Sequence, residues 1–259
     1  MNTLKKAILA TAATAAVGTS TPALADLSTV EANIGVTSNY LWRGVTQSSN
    51  SASVSGGLDW SNDAGFYVGG WVGSLGDDDS GFNGAETDIY LGWGGDIADG
   101  VAIDVGYIYY LYSEQDDADF SEIYASISAG AFTLGAAYTV DSQVDETDDN
   151  AEAFIEGDIY VYASASTEVA EGYTAGITIG NYMFEDDGED AFELDDMDMQ
   201  VDLGESEFDY THYSVSLTKA TESMGEFTFT INATDADEDD VWAIASDKTN
   251  VVVSWGTTL

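Results

Sequence analysis

Apolar and polar residues alternate along most of this chain, and the alternation has a period of two. In "VEANIGVTSNYLWR", Val30, Ala32, Ile34, Val36, Tyr40 and Trp42 fall on one face, with Glu31, Asn33, Thr37, Asn39 and Arg43 on the other. Successive side chains of a β-strand point to opposite faces, so this pattern predicts a strand with one greasy and one wet side. It recurs with Ala52, Val54, Leu58 and Trp60 against Ser53, Ser55 and Asp59, then with Ile89, Leu91 and Trp93 against Glu86, Asp88 and Tyr90. Further segments start near Phe66, Val101, Phe120, Phe132, Phe154, Tyr173, Glu207, Phe227 and Thr249. That makes about 12 segments, each near the length a tilted strand needs to cross a bilayer. In "FYVGGWVGS" both faces carry aromatics, so its inward side stays open.

The connections alternate too. Short ones ("NDAG", "DIADG", Gly130, "EVAEG", "KATESMG") alternate with mostly longer acidic ones such as "GDDDSGFNG", "DSQVDETDDNAE" and "EDDGEDAFELDDMDMQVDLGESE". The expected fold is therefore all-β: a transmembrane antiparallel up-and-down β-barrel with short periplasmic turns and long acidic extracellular loops. Residues 1–25 read as a secretory signal peptide, because Lys5 and Lys6 precede the apolar run "AILATAATAAV" and Ala23-Leu24-Ala25 makes a small-residue cleavage site. Residues 26–259 then form a single barrel domain in the outer membrane of a Gram-negative bacterium.

Charge is the first test of this reading. The chain holds 48 Asp and Glu against five Lys and Arg. Outside the leader only Arg43, Lys219 and Lys248 are basic, which excludes nucleic-acid binding through a basic patch. There is no cysteine, and the single proline, Pro22, lies in the leader. After the leader the chain therefore lacks the residue that would remove a ladder hydrogen bond from a sheet.

Acids on strands take the wet parity: Glu31, Asp59, Glu86, Asp88, Asp104, Glu122, Glu156 and Asp158, with Asp209 at a strand end. A carboxylate is costly against lipid and cheap in a watery lumen. Trp60, Phe66, Trp93, Phe132, Tyr173, Phe227 and Trp255 take the greasy parity beside the short turns, and Tyr40, Trp42, Tyr107, Tyr109 and Tyr138 take it at the other ends. Two aromatic girdles follow. A soluble β-sandwich also alternates, but it predicts neither two girdles nor alternating loop lengths.

"SNYLWRGVTQS", followed by "GFYVGGWVGS", "ETDIYLGWGG" and "EIYASISAG", resembles the TorF family of porins. The likeness spans the chain after its leader and is strongest from about residue 34 to residue 130. It implies an outer-membrane barrel and a channel, and supplies no solute. The final "VVVSWGTTL" departs from the terminal aromatic of barrel-assembly signals, while Trp255 and Leu259 keep the apolar parity.

The expected pore-lining residues are Arg43, Glu86, Asp88, Glu122, Glu156, Asp158, Tyr110 and Tyr160. Counting along the first strand brings Arg43, the only arginine, to the outer mouth with lumenal parity. A guanidinium binds carboxylates through a planar fork and keeps its proton, so it can draw two or three of these acids together and narrow the lumen. The alternative is an arginine that caps a strand end at the rim. The acidic lining predicts passive diffusion of small solutes with cations favoured. The lumenal tyrosines Tyr90, Tyr110, Tyr112, Tyr124, Tyr160, Tyr162 and Tyr182 could line a path or fill the interior. A closed structural barrel, or a receptor or adhesin acting through its acidic loops around Phe192 to Met199, is the competing function.

No EF-hand order is met by the acidic runs, so no cofactor or metal is expected, although weak divalent binding stays open. His212, with Ser214 or Ser216, is the only candidate for a base and nucleophile pair, at unspecific spacing. Non-enzymatic behaviour is expected. The partners implied are outer-membrane lipid and lipopolysaccharide, the barrel-assembly machinery, and small solutes or cations.

Overall fold

The computed structural model describes residues 29–76, 84–114, 118–144, 154–185, 192–194, 199–201, 209–235 and 249–259. The expected leader and most of the long acidic loops lie outside these residues. In chain order the strands are β1 (Thr29–Thr37), β2 (Leu41–Trp42), β3 (Val45–Thr46), β4 (Ser53–Ser61), β5 (Phe66–Ser74), β6 (Ala85–Ala98), β7 (Val101–Tyr112) and β8 (Phe120–Ala129). They continue with β9 (Phe132–Ser142), β10 (Ile159–Ala170), β11 (Tyr173–Met183), β12 (Phe192–Leu194), β13 (Met199–Val201), β14 (Tyr210–Thr221), β15 (Gly225–Thr234) and β16 (Thr249–Thr258).

All but β2, β3, β12 and β13 join one closed antiparallel barrel, a ring of twelve strands. Closure runs through β1, which pairs with β4 on one side (Val30 opposite Trp60) and with β16 on the other (Val36 opposite Trp255). The ring itself has no unpaired strand edge to seek another chain. Strand lengths of 9 to 14 residues suffice for a tilted crossing.

The parity holds around the ring. Val30, Leu58, Leu91, Ile123, Leu134, Ile177 and Val215 are exposed, and none of them could be so in a soluble sandwich core. An apolar outer surface of this extent on a closed barrel is a lipid-facing surface. Inward lie Asp59, Glu86, Asp88, Asp104, Glu122 and Tyr90, Tyr110, Tyr112, Tyr124, Tyr160, Tyr162 and Tyr182, while Tyr107, Tyr173 and Tyr213 are exposed on the outer face. The ambiguous β5 is resolved: Phe66, Val68 and Val72 face out, while Tyr67 bonds to Asp104 and Trp71 is buried. At the short-turn end the girdle tryptophans turn their polar edge to the turns, Trp93 Nε1 donating to the Ala64 carbonyl at 2.7 Å and Trp255 Nε1 to that of Met224 at 2.5 Å. In the turn between β4 and β5, the Asn62 side-chain oxygen accepts from the N–H groups of Ala64 and Phe66 at 3.0 and 3.1 Å. Gly65 closes it at φ +92°, where a Cβ would strike the Gly94 carbonyl.

One boundary differs from the sequence expectation. The segment expected from Phe154 starts at Ile159, because Phe154 (φ 64°) and Gly157 (φ 114°) bend the chain first. Glu156 is consequently exposed on that bend instead of projecting into the lumen. The start expected near Glu207 lies outside the described residues; among these the strand runs from Tyr210.

Placing an arginine at Leu91, 53% exposed in the middle of β6, should cost about 2–4 kcal/mol in vesicle-supported unfolding. Ser126→Arg, on the inward face opposite Asp104, should change stability by less than about 1 kcal/mol. Equal costs would contradict the assigned faces.

Candidate functional site

After β1 the chain stops alternating. Thr37 Oγ1 donates to the Asn39 carbonyl at 2.8 Å, and the Asn39 side-chain oxygen accepts from Thr46 at 2.5 Å and Ser48 at 3.1 Å. Pinned in this way, residues 38–52 turn off the wall and send the β2–β3 hairpin into the barrel. Trp42 pairs with Val45, leaving Arg43 and Gly44 as the two turn residues, at φ 45° and 91°. A two-residue hairpin turn of the primed kind needs positive φ at both positions. Gly44 accepts this freely, and a Cβ there would run into the His212 ring; its carbonyl instead accepts from Asn232 Nδ2 at 2.8 Å. Arg43 pays about 1–3 kcal/mol for its backbone.

What offsets that cost is a two-pronged ion pair. Arg43 Nη1 donates to Glu122 Oε1 at 2.7 Å and Nη2 to Oε2 at 2.5 Å, with both side chains buried. The guanidinium carbon lies 4.2 Å from the centre of the Trp42 ring, 4.4 Å from Tyr160 and 5.2 Å from Tyr182. Planar cations stack well on such faces. Burial opposes the charge on Arg43 and the neighbouring Glu122 more than restores it, so its affinity for the proton rises above the usual arginine range.

The rest of the hairpin packs across the outer half of the lumen. Tyr40 donates to Glu86 Oε1 at 2.6 Å, and its ring lies 5.5 Å from Trp71. Trp42 sits among Phe154, Tyr182, Tyr110 and Phe120, with ring centres 5.6 to 6.2 Å away. Tyr40 and Trp42 are therefore plug residues and not members of the outer girdle. Counting by two carried them there only because the inward turn at 38–39 leaves no apolar gap. Tyr107, exposed on β7, remains on the lipid side.

Arg43 is thus inside the barrel, but the hairpin delivers it and the strand does not, and it grips one carboxylate where two or three were expected. Glu86 is held by Tyr40. Asp88 is buried with its Oδ1 atom unpaired. Asp158 lies at the mouth, accepting from the N–H groups of Phe154 at 2.7 Å and Glu185 at 2.9 Å; burial pushes its carboxyl up to about 8 against the pull of these donors. Tyr110 and Tyr160 are buried and inward, Tyr110 donating to Glu122 Oε2 at 3.2 Å.

The tyrosines divide by depth. Tyr110, Tyr112, Tyr160 and Tyr182 are buried with the hairpin and fill the outer half; Tyr210, which is not among the tyrosines expected in the lumen, joins them. Tyr67, Tyr90, Tyr124 and Tyr162 keep solvent access in the other half. Their rings lie flat across glycines of the adjacent strand: Tyr90 over Gly69, Tyr67 over Gly92, Tyr124 over Gly106 and Tyr162 over Gly135. Any Cβ at these glycines would push its ring toward the axis. These rings line; the outer ones fill.

His212 is buried, with Nε2 2.8 Å from the Tyr160 hydroxyl, while Ser214 donates to Asn232 at 2.7 Å. The candidate base His212 and candidate nucleophile Ser214 are thus bonded to other groups.

The chain belongs to a family described as "Bacterial protein of unknown function (Gcw_chp)", whose model matches residues 23–255. This match carries the family and neither the TorF name nor an activity. No curated protein matches. Among solved structures, a KdgM porin is 8% identical, with TM-score 0.50 over 89% of this chain and 98% of that one. A KdgM porin in complex with disordered oligogalacturonate is 7% identical (TM-score 0.49, 89% and 97% covered), and a NanC porin is 10% identical (TM-score 0.48, 89% and 98% covered). At such identity the KdgM likeness is one of fold alone. A closed barrel of this fold with a lipid-facing outer surface is an outer-membrane protein of a Gram-negative bacterium.

A double-mutant cycle with Arg43→Gln and Glu122→Gln should return a coupling of about 1–3 kcal/mol, since the two groups share one bidentate contact. Glu156→Gln, on the exposed bend, should couple to Arg43 by less than about 0.5 kcal/mol.

Proposed function

We propose that this member of the Gcw_chp family is a porin-like channel through which small solutes diffuse across the outer membrane, with cations favoured. The observation that carries the proposal is the inward face. Asp59, Asp104, Asp88, Glu86 and Glu122 all point to the interior, and among the described residues Arg43 is the only cation there. Lys219, the other cation among them, lies 4.1 Å from the Tyr173 ring and donates to the Glu171 carbonyl at the short-turn rim. A narrow, low-dielectric passage focuses the field of such a lining, raising cation concentration and repelling anions. The TorF likeness of the sequence points the same way. A polyanion such as the oligogalacturonate in the KdgM complex would meet like charge here, so the solute class differs from that one.

Lining residues on this reading are Asp59, Asp104, Tyr67, Tyr90, Tyr124 and Tyr162 in the solvated half. Arg43, Glu86, Asp88, Glu122, Tyr110 and Tyr160 form the constriction, with Asp158 at its mouth. A second reading, a closed barrel whose outer loops act as a receptor or adhesin, draws support from the hairpin, which packs against walls from β5 round to β16.

Reconstitution in a planar bilayer under a salt gradient separates the two. The expected result is a conductance whose reversal potential lies on the cation side, shifting toward zero in Asp59→Asn/Asp104→Asn protein. An anion-side potential would reject the charge argument, and silence that persists after deletion of residues 40–47 would favour the closed barrel.

A further inference from the structure

The environment of Arg43 is that of a bound ligand. The groups that hold its guanidinium, apart from Trp42, belong to the wall: Glu122 on β8, Tyr160 on β10 and Tyr182 on β11. The wall also fixes them in place without help from the hairpin. Tyr110 on β7 donates to Glu122 Oε2 at 3.2 Å, Tyr160 is tied to His212 at 2.8 Å, and Tyr182 stacks on Phe184 with ring centres 4.3 Å apart. A preformed carboxylate fork between two aromatic faces would therefore survive if the hairpin left. Such a combination suits an organic cation that is flat and offers paired N–H donors.

A second observation points to a ligand beyond the arginine. The Oδ1 atom of buried Asp88 has no hydrogen-bond partner, and Asp88 lies on the same strand face as Glu86, two residues away, which accepts from Tyr40 of the hairpin and is also hydrogen-bonded to Asp88 and Tyr112. The single arginine satisfies one carboxylate of this group and leaves Asp88 Oδ1 as an acceptor for a further donor.

We propose that this cage is a binding site for organic cations bearing a guanidinium group, and that Arg43 occupies it as a tethered stand-in which such a solute displaces. The transport consequence rests on the channel reading above: the constriction opens when the solute takes Glu122 and the hairpin is released. Because Arg43 is attached to the wall by a short loop, its effective concentration at the cage is at least in the mM range, so a free competitor must reach comparable levels. A ligand with equal affinity for the occupied and vacated cage would shift nothing; a guanidinium solute binds only the vacated one.

The absence of native cysteine gives a direct test. Val45→Cys places a sole thiol in the hairpin, at a position 1% exposed. In full-length protein refolded into lipid vesicles, labelling by a charged maleimide should speed up at least about fivefold in about 20 mM L-arginine amide relative to KCl of equal ionic strength, as expected for mM-range competition. With Glu122→Gln added, labelling should be fast without arginine amide and indifferent to it. A rate that ignores arginine amide, or that rises equally in the Glu122→Gln protein, overturns the inference. Gln47→Cys serves if Val45→Cys fails to refold, judged by the heat-dependent gel shift of folded barrels. Conductance is read separately. A barrel that conducts cations but whose thiol ignores arginine amide keeps the channel and loses the site, whereas a silent barrel whose thiol responds keeps the site and loses the channel.

Discussion

Hydrocarbon offers no hydrogen bond to a peptide group, and this constraint organises everything else in the molecule. A chain that crosses lipid in strands must pair every N–H and C=O with a neighbour, which forces closure of the sheet. Here closure is completed by β1 bonding to β4 and β16 at once. Once the ring is shut, each strand has one side in lipid and one in the interior, and the period of two in the sequence becomes a radial sorting of side chains. The inward carboxylates, the outward Val, Ile and Leu, and the girdle rings bonding to turn carbonyls are all consequences of that closure.

Because the wall's sorting has a strict period, the sequence alone reveals it, down to the ring of twelve strands and the inward placement of Glu86, Asp88, Glu122, Tyr110 and Tyr160. The hairpin was not legible, for a physical reason. Periodicity reports on a residue only while the backbone stays extended, and at Ser38 and Asn39 it does not. Tyr40 and Trp42 keep the apparent parity of the strand past the bend, although both are buried in the interior. One signal was available in the Arg-Gly pair beyond the aromatics: glycine after a polar residue, flanked by Trp42 and Val45, is the mark of a tight turn. The same failure explains Glu156. Phe154 and Gly157 break the extended run before it becomes a strand, so parity there says nothing about the lumen.

Glycine decides where the interior is full and where it is not. Tyrosine is bulky enough to block a barrel of this size, yet in the half near the short turns four rings lie against the wall because the facing residue has no side chain. In the other half the rings meet the hairpin and one another, with centre separations of 4.3 to 6.4 Å, and solvent is excluded. One set of residue types thus yields a lined half and a filled half. The choice between them lies in the cross-strand partner, which composition does not show and register does.

The single arginine can then be understood through its costs. A charge taken from water into a packed interior loses several kcal/mol of hydration, and positive φ adds to that for a residue with a side chain. Nothing about hairpin formation requires arginine, since Asn or Gly would turn the chain at less expense. Nor does the lumen need it for neutrality, because Glu86 and Asp88 stay beside it without a cation of their own among the described residues. What arginine alone supplies is a flat cation that fits a carboxylate fork and two ring faces simultaneously, and this ties the plug to β8 by an interaction that salt screens poorly once buried. A plug held by apolar packing alone could be loosened only by something that dissolves the packing. One held at its tip by a charge pair can be loosened by a competing charge, so the contact that closes the outer half also determines what chemistry can open it.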